Sequence, residues 1–145
     1  MTRRLRRSTV PAPGFTLIEL MIVVAIVAIL ASLATAGYRF AVIKARRAEA
    51  ANCATEMAQM LERNYATTLR YDLDANGNAY DPTPQCRTEL ADGSFYTFAV
   101  NADRVSYTIT ASPDSNQDDP KCGELGLSQN GHKTVTGSAS PSDCW

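Results

Sequence analysis

The pattern of apolar and polar positions predicts one long helix at the start of the chain. Residues 15–37 form an apolar run in which Glu19 is the one charged residue. At a rise of 1.5 Å per residue, a helix of this length crosses a hydrocarbon core about 30 Å thick. Beyond the run, apolar and small residues keep helical spacing at Ala54, Met57, Ala58, Leu61 and Tyr65. We therefore expect a helix over residues 15–67, with a membrane span (15–37) followed by an amphipathic half (38–67).

The rest of the chain changes from helical to strand periodicity. Residues 68–92 are rich in turn formers and are predicted to be a connecting loop. Within residues 93–145, apolar positions alternate along short segments: Tyr96, Phe98, Val100, Tyr107, Ile109, Ala111, Leu125 and Leu127. Asn130-Gly131 is a hairpin-turn dipeptide, after which Lys133 to Thr136 can return as a fourth strand. The predicted class is α+β, a long N-terminal helix packed on a small antiparallel β-meander whose aromatic stripe is core.

Charge is unevenly placed along the chain. Four arginines, at positions 3, 4, 6 and 7, precede the apolar run, which places the N-terminus in the cytoplasm by the positive-inside rule. Removing them from the totals leaves 10 basic and 15 acidic residues. This acidic remainder argues against general nucleic-acid binding, which depends on neutralising phosphates. A local basic patch stays open, and its candidates are Arg63, Arg70, Arg87, Arg104, Lys121 and Lys133.

The four cysteines indicate disulfides, not a metal site. Cys53, Cys86, Cys122 and Cys144 are even in number and lie outside the apolar run, in the part predicted to be exported. Spacing alone allows three pairings. No C-x-x-C motif is present, and the single histidine, His132, falls in the predicted hairpin turn.

Two simple interpretations of the apolar run leave Glu19 unexplained. A cleaved secretory signal fits the paired arginines and the A-x-A sequence at residues 34–36, but the run is long for such a signal. A plain membrane anchor fits the length. A carboxylate inside a span costs about 2.5–3.5 kcal/mol on insertion scales and usually marks a function.

The hexapeptide GFTLIE, residues 14–19, resembles the processing signature of type IV prepilins. The resemblance implies that a prepilin peptidase cuts after Gly14, removing the leader 1–14, and that Phe15 is then N-methylated. The apolar segment stays as an anchor and later becomes filament core. Glu19 would then need a cation in a low-dielectric bundle, and the Phe15 amine of a neighbouring subunit is the candidate. The alternative is that Glu19 stays solvated near the membrane interface.

Later segments resemble minor pilins of the PilE type, namely KARRAEA at 44–50, LERNY at 61–65, CGEL at 122–125 and the terminal Cys-Trp. The resemblance implies the pilin fold, with Cys122–Cys144 as the C-terminal disulfide loop and Cys53–Cys86 as the pair that remains. It also implies a single-pass inner-membrane protein that enters an extracellular pilus, or fimbrium. The expected role is assembly or priming of a type IV pilus, and thereby twitching motility, adhesion or DNA uptake. The expected partners are the prepilin peptidase, other major and minor pilins, and the inner-membrane assembly machinery.

Three relatives of this kind of protein remain as alternatives. A major pilin shares the chemistry and differs in copy number. A pseudopilin of type II protein secretion shares the leader and often binds calcium. A DNA-binding competence pilin needs an exposed basic patch, which makes nucleic acid a less favoured partner for so acidic a chain.

A calcium loop is the one cofactor candidate. Asp72, Asp74 and Asn76 match the first half of an EF-hand loop, followed by glycine, but the twelfth position is Thr83 and only Asp81 lies nearby as a substitute. The simpler interpretation is a solvated turn. The acidic segment 114–119 is a weaker candidate still. We find no catalytic constellation and expect neither enzymatic activity nor another cofactor.

Overall fold

The computed structural model describes residues 14–145; the predicted leader up to residue 13, with its arginines, therefore lies outside the described residues. The chain divides after Tyr38 into two units, and the second, Arg39–Trp145, is called the head below. Helix α1, Leu17–Thr68, begins in the first unit and ends in the head. The predicted helix over 15–67 is thus confirmed to within two residues.

A four-stranded antiparallel sheet follows α1 in the head. Its strands are β1 (Tyr96–Ala102), β2 (Tyr107–Pro113), β3 (Leu125–Ser128) and β4 (Lys133–Val135), paired in sequence order. All three pairings are antiparallel; short turns join β1 to β2 and β3 to β4, and a longer loop joins β2 to β3. The register places Ile109 opposite both Val100 and Leu127, so apolar residues share one face. The expected meander is confirmed.

The core of the head forms between the amphipathic half of α1 and that face of the sheet. The predicted helix face is buried: Ala54, Met57 and Leu61 are 0% exposed. The predicted strand positions Tyr96, Ile109 and Leu125 are also 0% exposed and join the same cluster. Period-3.6 and period-2 apolar patterns therefore meet in one core, which is what makes the class α+β.

The predicted connecting loop contains a helix that the sequence pattern did not indicate. Helix α2, Gln85–Asp92, starts after Pro84 and buries only Leu90, so it carries almost no apolar periodicity. Its position is instead fixed by a disulfide from Cys86 to Cys53 on α1. A second short helix, α3 (Pro141–Cys144), begins with proline at its first turn, in a segment expected to be loop.

A buried ion pair ties α1 to the loop between β2 and β3. The Arg47 Nε lies 2.6 Å from the Asp119 Oδ2, and the two side chains are 8% and 2% exposed. Beside them, the Gln117 side-chain amide nitrogen, Nε2, donates to the Ile43 carbonyl at 3.0 Å. Arg47 does not belong to the apolar helix face that the sequence pattern marks, so the pattern gave no indication of its burial. Its partner is distant in sequence, which no local periodicity reveals.

Substitution of one member of this pair should destabilise the head strongly. We expect Asp119→Asn to lower the free energy of unfolding by about 3–5 kcal/mol, since it leaves the Arg47 charge buried without a counter-ion. The matched control is Asp81→Asn, because Asp81 pairs with Arg87 but is 55% exposed; its cost should stay below about 1 kcal/mol. Urea unfolding of the oxidised head measures both, and equal costs would contradict a structural role for the buried pair.

Candidate functional site

The N-terminal segment, residues 14–19, carries the predicted processing and assembly residues. Gly14, Phe15 and Thr16 precede the helix, and Phe15 is 83% exposed. The Thr16 carbonyl accepts from the Leu20 N–H at 3.2 Å, and the Thr16 hydroxyl oxygen accepts from the Glu19 N–H at 3.3 Å. Thr16 therefore acts as the N-cap of α1.

Glu19 consequently has a local role that the sequence reasoning missed. It occupies the third helical position, so Thr16 and Glu19 form the T-x-x-E pattern of a capping box. A carboxylate in the first turn is also favoured by the positive end of the helix dipole. Glu19 is exposed, and among residues 14–145 it forms no intrachain ion pair. Its charge is thus available to a group outside the chain.

The apolar part of α1 has no cover within its own unit. Its large side chains from Leu17 to Leu33 are between 52% and 77% exposed, and an 18-residue window has a mean hydropathy of 2.8 with none of it buried. By length and composition this helix can cross a membrane. Exposed apolar surface on this scale marks a segment covered by lipid or by other helices.

The structure contains both disulfides in the pairing that the pilin resemblance implies. Cys53 bonds to Cys86 and holds α2 on α1, and Cys122 bonds to Cys144 and closes the C-terminal loop. The loops span 33 and 22 residues. In the chain-entropy account each such cross-link contributes about 3–4 kcal/mol by restricting the unfolded chain.

A carboxylate cluster joins the end of α1 to the sheet. The phenol groups of Tyr71 and Tyr107 both donate to the Glu62 carboxylate at 3.1 Å, and the two rings meet edge-on with centroids 4.9 Å apart. Burial raises the pKa of the Tyr107 phenol, and the Glu62 charge raises it further; the Tyr71 pKa is raised by the same two causes. Glu62 therefore has a structural role, which the helical pattern of the sequence does not indicate.

The residues of the calcium candidate already have partners inside the protein. Arg70 forms a bidentate pair with Asp72 at 2.7 Å, and this hydrogen-bonded pairing lowers the Asp72 pKa. The Asp74 Oδ1 accepts the backbone N–H groups of Asn76 and Asn78, and the bond from Asn78 is the main cause of a lowered Asp74 pKa. Asn76 is exposed. Calcium binding here stays a prediction from the sequence.

The basic candidates of the head divide into two groups. Arg70 pairs with Asp72 and Arg87 pairs with Asp81, so their charges are largely compensated. The other basic candidates are exposed: Arg63, Arg104, Lys121 and Lys133. The sequence alone could not separate the paired from the unpaired cations, because the ion pairs depend on the folded loops.

Two family models match the chain and together cover most of it. The N-terminal methylation motif of prokaryotes matches residues 13–35. The type IV minor pilin ComP, DNA uptake sequence receptor, matches residues 36–126, from within α1 to β3. The chain belongs to this family of type IV minor pilins. The expected type IV minor pilin is therefore confirmed.

Two further comparisons complete the picture. A solved structure of a type IV pilin from Shewanella oneidensis is 25% identical, with a TM-score of 0.49, covering 71% of this chain and 97% of that one. A comparison with curated proteins gives no match.

The family is one of structural subunits, and its methylation motif implies processing by a prepilin peptidase and packing with other pilins. The apolar helix fits a membrane-anchored precursor that enters a pilus.

The Glu62 cluster of this minor pilin generates a prediction at alkaline pH. A phenol whose pKa is raised by folding contributes stability that is complete below its unfolded pKa of about 10 and is lost as pH rises through the folded value. The free energy of unfolding should therefore fall above about pH 10. In Glu62→Gln the Tyr107 phenol should ionise at lower pH, while Glu49→Gln, an exposed carboxylate on the same helix, should leave the phenolate absorbance titration unchanged. Identical titrations of all three proteins would contradict the contact.

Proposed function

We propose that this minor pilin is a subunit of a DNA-capturing type IV pilus, anchored in the filament by its apolar helix. Its N-terminus begins in the cytoplasm and the head is exported across the inner membrane. Cleavage after Gly14 removes the leader and frees the amine of Phe15, which is then methylated. The match to the DNA uptake sequence receptor family over residues 36–126 carries the DNA-binding part of this proposal.

The assembly part rests on the chemistry of Glu19. In lipid, a carboxylate at the start of a span lies close to the headgroups and stays hydrated. In a bundle of apolar helices the same carboxylate loses water and needs a counter-charge. The ammonium group of a processed neighbour supplies one. In every processed subunit the amine would belong to the first residue, Phe15, and the carboxylate to the fifth, Glu19. The pair would set the axial register between adjacent helices.

The substitution Glu19→Gln distinguishes a role in charge pairing between subunits from a role in helix capping. Because glutamine also serves in a capping box, Glu19→Gln keeps the local role and removes only the charge. We expect the variant to be inserted and cleaved normally. Its amount in sheared pili should fall at least about tenfold, which corresponds to a loss of roughly 1.4 kcal/mol in the free energy of incorporation. The control is Glu49→Gln, an exposed charge on the same helix. Normal incorporation of Glu19→Gln would mean that capping alone explains the residue.

The DNA-binding part uses an exposed turn of the head. Arg104 lies in the β1–β2 turn, and its carbonyl accepts the Tyr71 N–H at 3.2 Å, so this turn lies against the loop that follows α1. Two apolar side chains are exposed there, Leu69 at 66% and Val105 at 67%. Leu69 directly follows α1 and has the left-handed backbone, φ of 57°, with which helices commonly end; its N–H donates to the Tyr65 carbonyl at 2.8 Å. A cation beside exposed apolar surface suits contact with a sugar-phosphate backbone.

A binding assay with short duplex DNA tests this part. We expect the head to bind with an affinity that falls with salt. A plot of log affinity against log salt concentration should have a slope of about −0.9 for each phosphate contacted. Arg104→Gln should reduce that slope by about 1. Arg87→Gln is the control, since the Arg87 charge is held by Asp81 and should contribute little. Absence of binding by the head even at low salt would overturn the DNA-capturing role and leave the structural role intact.

A further inference from the structure

We propose that a cavity at the start of the head binds the phosphate headgroup of an anionic phospholipid. The cavity is lined by Phe40 and Lys44 from α1 and by Lys121 from the β2–β3 loop, with Cys122, Ala139 and Asp143 completing it. This inference is independent of DNA binding. It concerns the membrane-resident form of the protein, before it enters a filament.

The cavity has the size and shape for a single headgroup. Its volume is about 340 Å³, and Arg47, whose guanidinium pairs with Asp119, also lines it. The Lys121 Nζ lies 5.2 Å from the centroid of the Phe40 ring, a cation–π distance that holds the two side chains together. Phe40 nevertheless remains 54% exposed. An apolar ring next to an ammonium group matches the boundary between a glycerol backbone and its phosphate.

The charges around the cavity favour an anion of low charge. Lys44 and Lys121 are exposed, whereas Arg47 is neutralised by Asp119. Asp143 also lines the cavity, and its Oδ2 accepts the Ser140 hydroxyl at 2.7 Å. The two lysines therefore outweigh a single carboxylate. This balance suits one phosphodiester and is weak for duplex DNA, whose affinity depends on neutralising several phosphates at once.

Position along the chain identifies the membrane as the source of the phosphate. Phe40 follows the last residue of the apolar run, Gly37, by so few residues that even a fully extended backbone would separate them by only about 11 Å. The lining of the cavity therefore begins within reach of the headgroup layer, whatever the backbone does between the two units. Aromatic rings and snorkelling lysines are the side chains that membrane interfaces favour. Each lysine near an anionic surface contributes about 1 kcal/mol of attraction.

Photo-crosslinking of the full chain in nanodiscs tests the proposal. The probe is phosphatidylglycerol with a diazirine on its headgroup, and the labelled peptides are mapped by mass spectrometry. We expect label on the segment that contains Lys121, which is remote from the span in sequence. Lys44→Gln should reduce that label about fivefold, the equivalent of one lysine's attraction. Lys133→Gln is the matched control, because Lys133 also lies over an aromatic ring, that of Trp145, but does not line the cavity.

Three results would overturn the proposal. The first is the absence of label from the Lys121 segment, with label confined to the span and the residues before it. The second is equal labelling of wild type and Lys44→Gln. The third is displacement of the label by short duplex DNA, which would assign the cavity to nucleic acid. Lys44 and Lys133 are exposed, so both variants should keep the fold, and an unchanged thermal unfolding curve verifies this.

Discussion

One carboxylate in an apolar helix is the constraint on which the proposed life cycle depends. Glu19 is stabilised locally, because the Thr16 hydroxyl caps its N–H and the helix dipole favours a negative charge in the first turn. Neither interaction neutralises the charge once water is removed. A buried carboxylate in a helix bundle therefore requires a cation from another molecule. Cleavage after Gly14 would create that cation at Phe15, so charge pairing during helix packing would depend on processing. Uncleaved subunits would lack the counter-charge.

The head has a small apolar core, so its stability depends on further interactions. Only one face of the sheet and one face of α1 supply apolar burial. Two disulfides restrain the segments that contribute least to this core, namely α2 and the C-terminal loop. The Arg47–Asp119 pair and the Glu62 tyrosine cluster fix the β2–β3 loop and the end of α1. Loops held in this way can carry exposed cations on a mostly acidic protein without spreading the charge over the whole surface.

Much of this fold was readable from the sequence, for identifiable reasons. The helix and strands carry clear apolar periods, and Asn130-Gly131 marked the last hairpin. Helix α2 was missed because a single buried leucine, Leu90, leaves no period to detect. The roles of Arg47 and Glu62 were missed because Asp119 lies 72 residues from Arg47 and Tyr107 lies 45 residues from Glu62. The Thr16–Glu19 cap was present in the sequence as T-x-x-E, but these residues were interpreted only as part of the processing motif. The choice among exposed arginines required the folded ion pairs, and the DNA-receptor family required the comparison.

In the proposed assembly, the leader is removed so that a new amine can face Glu19. The most direct test is the intact mass and N-terminal peptide of the protein isolated from the producing cell's membrane. The account predicts a chain that begins at Phe15 and carries a methyl group on its amine. A product that begins at Gly37, or that keeps the four leading arginines, would contradict it.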